Sequence, residues 1–285
     1  TVTIQWDKIV EIRSDEPMDI EATDGKRYFG TLEKSGRAEQ VTISSGTSTD
    51  SLAIVDLVQI VPIGGSFLKR LQGSFSAGFS LTKSSDVAQL SFNGNLLYQD
   101  RENRWALSYN NIVTNQDSGS TEQLFARLGY RYQPAEHWYG LGFVSFQRNQ
   151  ELGINARGLL GAGAGRTMFQ STQGELSLNG GLALNLEDTD FGQDTSVESF
   201  AAIEYALFKF SGRRSNLIFS AMIFPSLTES GRIRWQVDTT WRQEIVNNMF
   251  WDWSLYASGD NEPPEGANSK SDYGIVTSLG WSFGR

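Results

Sequence analysis

From about residue 66 to its last residue this chain alternates, with apolar side chains on every second position in runs of about ten. The last run is the clearest. Tyr273, Ile275, Thr277, Leu279, Trp281 and Phe283 fall on one side of an extended backbone, and Gly274, Val276, Ser278, Gly280 and Ser282 on the other. Successive side chains of a β-strand point to opposite faces, so this is a strand with one greasy face and one small or polar face. The same pattern runs through Leu71 to Leu81, Trp105 to Tyr109, Leu124 to Tyr132, Leu176 to Leu184, Ile233 to Trp241 and Met249 to Leu255. Less regular strands near 88–98, 138–149, 154–166, 197–211 and 216–227 fill the gaps. The apolar face is uniformly large, and the other face carries Gly, Ser, Asn and Arg. Short turns join the strands in sequence, whereas a soluble sandwich more often uses longer crossovers. The fold class expected is therefore all-β, a transmembrane up-and-down antiparallel β-barrel of about twelve strands.

Hydropathy alone argues otherwise. The 285 residues are 39% hydrophobic, the mean hydropathy is −0.34, and no apolar run reaches the roughly 18 residues a membrane helix needs. Half of each barrel strand is polar, however, so the signal averages away. The absence of Cys excludes a disulfide framework, a thiolate metal site and a Cys nucleophile. A formal net charge of −9 argues against nucleic acid as a partner, because phosphate binding needs a basic face. The chain opens at Thr1 with neither Met nor a charged-then-apolar leader, the expected trace of a removed signal peptide or of a start inside the gene.

The chain divides near residue 63. Residues 1–62 hold 11 Asp and Glu against 6 Lys and Arg, and their pattern is of short strands. Strands are expected at 3–6, 9–12, 18–22, 28–32, 41–43 and 52–60, with Asp24-Gly25 as a hairpin turn. This predicts a small SH3- or Sm-like β-domain whose first strand lies upstream of Thr1. Pro62-Ile63-Gly64-Gly65 reads as its linker to a barrel over 63–285. An even strand count puts both barrel ends on one side, with residues 1–62 in the periplasm. The expected external loops lie near 84–86, 118–121, 151–153, 187–194, 228–231 and 259–272. Periplasmic turns are expected near 98–103, 134–137, 171–174, 212–215 and 246–248.

Three stretches carry a family likeness. They are Thr3-Ile4-Gln5-Trp6-Asp7-Lys8-Ile9 followed by Ile12 and Ser14, Arg157 through Gly161, Gly163 and Gly165, and the closing Leu279-Gly280-Trp281-Ser282-Phe283. In these, and loosely over nearly its whole length, the chain resembles the salt-stress-induced outer-membrane β-barrel family of unknown function. The resemblance implies a bacterial outer-membrane location and brings no catalytic residues. Gly284-Arg285 departs from the terminal aromatic usual in outer-membrane assembly signals, which moves that role to Phe283.

The inward face is expected to carry Arg127, Arg131, Arg157, Glu204, Arg234, Asp238, Arg242, Glu244 and Asp252. Charges of both signs there read equally as the lining of a narrow channel and as a plug of Arg–carboxylate pairs. Trp105, Tyr109, Tyr132, Trp138, Trp235, Trp241, Trp251, Trp253, Tyr273, Trp281 and Phe283 are expected as a membrane girdle. His137 is the only histidine, beside Pro134 and Trp138 at a turn, with Ser145 as the nearest serine; it reads as an interfacial residue rather than a catalytic base. The Gly161, Gly163, Gly165 run lacks the following helix that a phosphate cradle needs, and reads instead as glycines that accept large neighbours. Glu187, Asp188, Asp190 and Asp194, and likewise Asp260, Glu262 and Glu265, read as acidic external loops, with no metal or cofactor assigned.

The leading functional expectation is a narrow passive pore or envelope-stress barrel without enzymatic chemistry. The other is a closed structural barrel whose N-terminal domain binds a periplasmic partner. A lipid enzyme is the third and weakest. Expected partners are outer-membrane lipids, lipopolysaccharide and, during biogenesis, the barrel-assembly machinery.

Overall fold

The computed structural model describes residues 9–37, 39–46, 48–62, 70–82, 87–100, 102–116, 119–134, 137–150, 152–171, 173–209, 214–264 and 269–284. The strand expected at 3–6, residues 63–65 of the linker, the loop at 84–86, Ser118, Glu151, Gly212 and Glu265 lie outside the described residues.

Among the described residues five short strands come first: β1 (Ser14–Ala22), β2 (Arg27–Lys34), β3 (Gln40–Ser45), β4 (Ser48–Ala53) and β5 (Leu57–Pro62). They form one antiparallel sheet in the order β4-β3-β2-β1-β5. Asp24 and Gly25 make the β1–β2 turn, where Gly25 takes the left-handed φ of 79° and the Lys26 N–H donates to Asp24. The expected strand over 52–60 is broken by a 3-10 turn at Ile54–Asp56, which sends β4 and β5 to opposite edges of the sheet. Ladder pairing therefore gives a five-stranded sheet here and not a closed small barrel. The expected strand over 9–12 is irregular chain, but Ile9 and Ile12 still pack against the core of Ile20, Leu32, Val41, Ile43, Ile54 and Leu57. Each of those core side chains contributes about 1.5–3 kcal/mol by leaving water.

Twelve strands follow and close on themselves. They are β6 (Leu71–Thr82), β7 (Val87–Gln99), β8 (Asn103–Gln116), β9 (Gly119–Tyr132), β10 (Trp138–Asn149), β11 (Ile154–Ser171), β12 (Gly174–Thr189), β13 (Gly192–Lys209), β14 (Ser215–Pro225), β15 (Ile233–Val246), β16 (Met249–Asp260) and β17 (Ser271–Phe283). Every sequential pair is antiparallel, and β17 closes on β6 through the register Phe283↔Gly73. Neighbouring strands about 4.8 Å apart and tilted about 40° give a backbone cylinder on the order of 24 Å across. One end, where β6 starts and β17 stops, has tight connections and is the turn end. The opposite end carries the 226–232 and 261–270 segments and is the loop end.

Local chemistry makes those turns. Asp100 Oδ1 accepts from the backbone N–H groups of Glu102 and Asn103 and from the Asn103 side chain. Ser171 Oγ accepts from the N–H groups of Gln173 and Gly174. Asn248 takes a φ of 67° between β15 and β16, a conformation that Asn tolerates better than most side chains.

The alternation resolves as expected on the outside. Leu160, Leu182, Phe79 and Ile275 are among many outward residues that stay exposed, Ile275 at 70%. Of the expected girdle, Trp105, Tyr132, Trp138, Trp241, Trp251, Trp281 and Phe283 are exposed toward the turn end, with the half-buried Trp253 stacked on Trp241 at 4.8 Å. Tyr273 and Trp235 lie toward the loop end, and Tyr109 sits at mid-strand against Phe92. The aromatic ring is thus heavier at the turn end.

Candidate functional site

The interior is the candidate site, and it changes character along its length. At the loop end it is an ionic network. Arg157, on β11, donates through Nε and Nη2 to Glu187 of β12 at 2.8 and 2.6 Å. Arg232, just before β15, reaches Glu187 at 3.2 Å and Asp260 of β16 at 2.7 Å. Arg234 clasps Glu198 of β13 side-on through Nε and Nη2, with Nε to Oε1 at 2.8 Å. Three arginines thus meet three carboxylates, and Glu198, Asn185 and Ser196 are completely buried. Arg232 lies in the connecting loop. Burial disfavours its charge, but its bonds to Asp260 and Glu229 outweigh that and hold its pKa above the usual value. Its neighbour Glu229 sits above the usual carboxylate range, chiefly through the bond it shares with Asp194.

Below this network lies an apolar layer. Phe143, Leu159, Ala183, Phe200, Ala202, Met222 and Phe224 from β10 to β14 pack together inside the barrel. Phe200 meets Phe143 edge-on at 5.4 Å and lies 6.5 Å from Phe224. These rings point inward because their strands reverse the usual order. In β10 the larger Tyr139, Leu141 and Phe143 alternate with Gly140 and Gly142, and in β13 the inward face turns apolar at Phe200 and Ala202, between Glu198 and Glu204.

A second device recurs along the wall. An inward aromatic lies flat over a glycine of the next strand, and an arginine lies over the aromatic. Phe143 covers its register partner Gly161, and Arg127 stands 4.0 Å above the ring. Tyr139 covers Gly165 under Arg131 at 3.9 Å, and Phe250 covers Gly280 under Arg242 at 3.5 Å. A Cβ at any of the three glycines would enter the ring. Gly161 and Gly165 therefore accept large neighbours, as their inward spacing suggests, while Gly163 lets β11 run close against the Gly180–Gly181 backbone.

Toward the turn end the interior opens. Glu204 keeps 46% of its side chain exposed, and Ile218, whose register partner Ala206 is on the inward face of β13, is 48% exposed. Arg131 bridges the lumen to Glu204 at 3.2 Å and Glu175 at 3.6 Å. Arg127 donates across it to the Met222 sulfur at 3.3 Å. Asp238 accepts from Gln236, Arg242 pairs bidentately with Asp252 at 2.8 Å, and Glu244 pairs with Arg214 at 3.7 Å. A polar cleft at the mouth gathers Arg104, Arg131, Glu175, Thr167 and Gln170 with Glu21 and Arg27 of the N-terminal sheet.

All nine charged residues singled out on the inward face thus make interior contacts, in three separate groups. Glu187 and Asp260, expected in acidic external loops, instead point inward and anchor the loop-end network. Residues 187–194 form a tight hairpin, Thr189↔Gly192, and not an open loop. No group of three or more His, Cys, Asp or Glu among the described residues could hold a metal ion. Arg104, Glu198, Arg232 and the inward rings were not legible as site residues. The available signal was the loss of clean alternation in 138–149 and 197–211. His137 sits at the turn-end start of β10, and Ser145 is eight residues on, about 25 Å along an extended chain, so they form no nucleophile–base pair.

Several solved barrels are similar in outline. A porin, NanC, is 6% identical over 74% of this chain and 98% of its own, with a TM-score of 0.44. The translocator domain of the autotransporter NalP from Neisseria meningitidis is 14% identical over 75% of this chain and 87% of its own, with a TM-score of 0.41. An outer membrane channel from Pseudomonas putida F1 is 12% identical over 75% and 94%, with a TM-score of 0.40. At these scores the likenesses carry no argument about function. No curated protein matches the chain. A family model does, over residues 72–283, which is the barrel from the second residue of β6 to the last of β17, and the chain therefore belongs to the family described as "Protein of unknown function, DUF481".

Proposed function

We propose that this protein spans a bacterial outer membrane as a narrow passive pore, shut in this conformation by its own side chains, with residues 1–62 on the periplasmic side. The observation that carries the membrane reading is a closed ladder wrapped in exposed apolar side chains. Water penalises such a belt, which far exceeds the few hundred Å² of a soluble monomer's patches. Lipid rewards it and forbids any open sheet edge. The shortest barrel strand, β14, has 11 residues, enough to cross at the usual tilt. Outer-membrane lipids and lipopolysaccharide are then its surroundings, and the barrel-assembly machinery its partner in biogenesis. The order β4-β3-β2-β1-β5, with a 3-10 turn before β5, supports an SH3- or Sm-like N-terminal domain that binds a periplasmic partner or covers the mouth. A role in salt or envelope stress rests on the family resemblance. The reading includes no enzymatic step.

A closed scaffold barrel is the second reading, favoured by the contacts that cross the lumen, Arg131 to Glu204 and Arg127 to Met222. Single-channel recording in a planar bilayer separates the two. For the pore, wild type gives small, infrequent steps, and removing a whole loop-end pair with Glu198→Ser plus Arg234→Ser enlarges them. If both proteins are inserted and both are silent, the pore reading fails and the scaffold reading stands.

A further inference from the structure

Arg242 is sealed against Asp252 much as the loop-end arginines are against their carboxylates, but the arginines of the β8–β9 wall are distributed differently. On β8 and β9 the inward charges are Arg104, Arg127 and Arg131, without an inward carboxylate on either strand. The register places Arg104 directly opposite Arg131. Like charges facing each other across neighbouring strands destabilise a sheet unless something offsets them. Arg131 has Glu175 and Glu204. Arg104 and Arg127 have no carboxylate within 4 Å among the described residues: Arg127 bonds the Met222 sulfur and lies over the Phe143 ring, with Glu204 and Asp238 beyond ion-pair distance, and Glu21, Glu175 and Glu204 stand likewise beyond it from Arg104. Arg127 is four residues deeper than Arg131, about 13 Å along the strand, just beneath the apolar layer. At this level the inward Ala106, Glu204 and Ile218 stay exposed, and the cleft at the mouth is lined by Arg104 and Arg131.

We propose that this wall is a binding site for a small oxyanion, a carboxylate or phosphate group that enters from the turn end, docks between Arg104 and Arg131 and passes to Arg127. A guanidinium offers paired N–H donors that match a carboxylate or phosphate edge, and a walled, partly desolvated lumen strengthens that match. Glu204, exposed opposite, is the group an entering anion displaces from Arg131. The proposal rests on the membrane-barrel reading but not on conduction, because a vestibule closed at the apolar layer still binds.

The test is calorimetric titration of the full chain, purified in detergent, with inorganic phosphate and separately with acetate, and with chloride as the control. The expected result is saturable binding of phosphate, acetate or both, weakened tenfold or more by Arg127→Gln and by Arg104→Gln and partly restored by Lys at the same positions, which keeps the charge without the paired donors. Arg148→Gln, at the loop end, leaves binding unchanged. Folding of each variant is checked by its gel mobility with and without heating. Absence of saturable binding to either oxyanion by the folded wild type overturns the proposal, and so does binding that both Gln variants leave intact. Oxyanion binding with a silent bilayer removes the pore reading alone, whereas conductance without oxyanion binding removes this site alone.

Discussion

The loop end of the lumen and its β8–β9 wall toward the turn end draw on the same residue types, yet they use charge in opposite ways. At the loop end Arg157, Arg232 and Arg234 are sealed against Glu187, Glu198 and Asp260, each guanidinium within hydrogen-bond distance of a carboxylate. At the turn end Arg104 and Arg127 lack such partners among the described residues, and Glu204 is half in water. Paired and buried, an arginine crosslinks strands. Left beside open space, it becomes a place for something else to bind. Side-chain identity does not separate these roles; the partner and the water do.

The largest predicted contrast comes from removing one carboxylate in each half. Glu198→Ala leaves Arg234 buried and uncompensated and should cost about 3–5 kcal/mol, seen as a sharply lower unfolding temperature. The equivalent Glu204→Ala removes a half-exposed partner and should cost under about 1 kcal/mol. Equal effects in thermal melts would break the comparison. Next in size are the glycines beneath the rings. Gly161→Val and Gly280→Val push Phe143 and Phe250 off the wall and should each cost about 1–3 kcal/mol, while Gly94→Ala, which meets nothing within 4 Å, should be near neutral.

Smaller still is Arg242→Lys. It keeps the charge but loses the two-pronged bond to Asp252 and the flat stacking on Phe250, and should cost about 1 kcal/mol in chemical denaturation. The smallest lies in the turn after β7. Burial alone would raise the Asp100 carboxyl, but its bonds to Asn103 and Glu102 outweigh burial and hold it below the usual carboxylate range. A depressed folded pKa means that its contribution is complete above the unfolded value and is lost as pH falls through the folded one. Asp100→Ala should therefore raise hydrogen exchange in residues 99–103 at neutral pH and make no difference in strong acid.

How far the sequence reached is clear from particular elements. The period-two pattern of residues 273–283 places Ile275 and Leu279 outside and Ser278 and Ser282 inside, and their burial agrees, with the first two exposed and the two serines buried. Asp24-Gly25 marks its hairpin turn correctly. The pattern was weakest at β10 and β13, where inward rings carry the apolar layer, because alternation names a face only when the two faces differ in polarity. It also misplaced Glu187 and Asp260, since an acidic stretch at a strand end looks like a loop until the strand is seen to continue into a tight hairpin or to turn its side chain inward.

By itself, then, the sequence determined about twelve alternating strands, an apolar outside and a charged inside, because those are local properties of an extended chain. Only the tertiary structure decided which charges are spent on one another. Arg127 meets Met222 across 95 residues and Arg131 meets Glu204 across 73. Such pairings depend on closure, tilt and stagger of the whole ladder, which no single strand encodes.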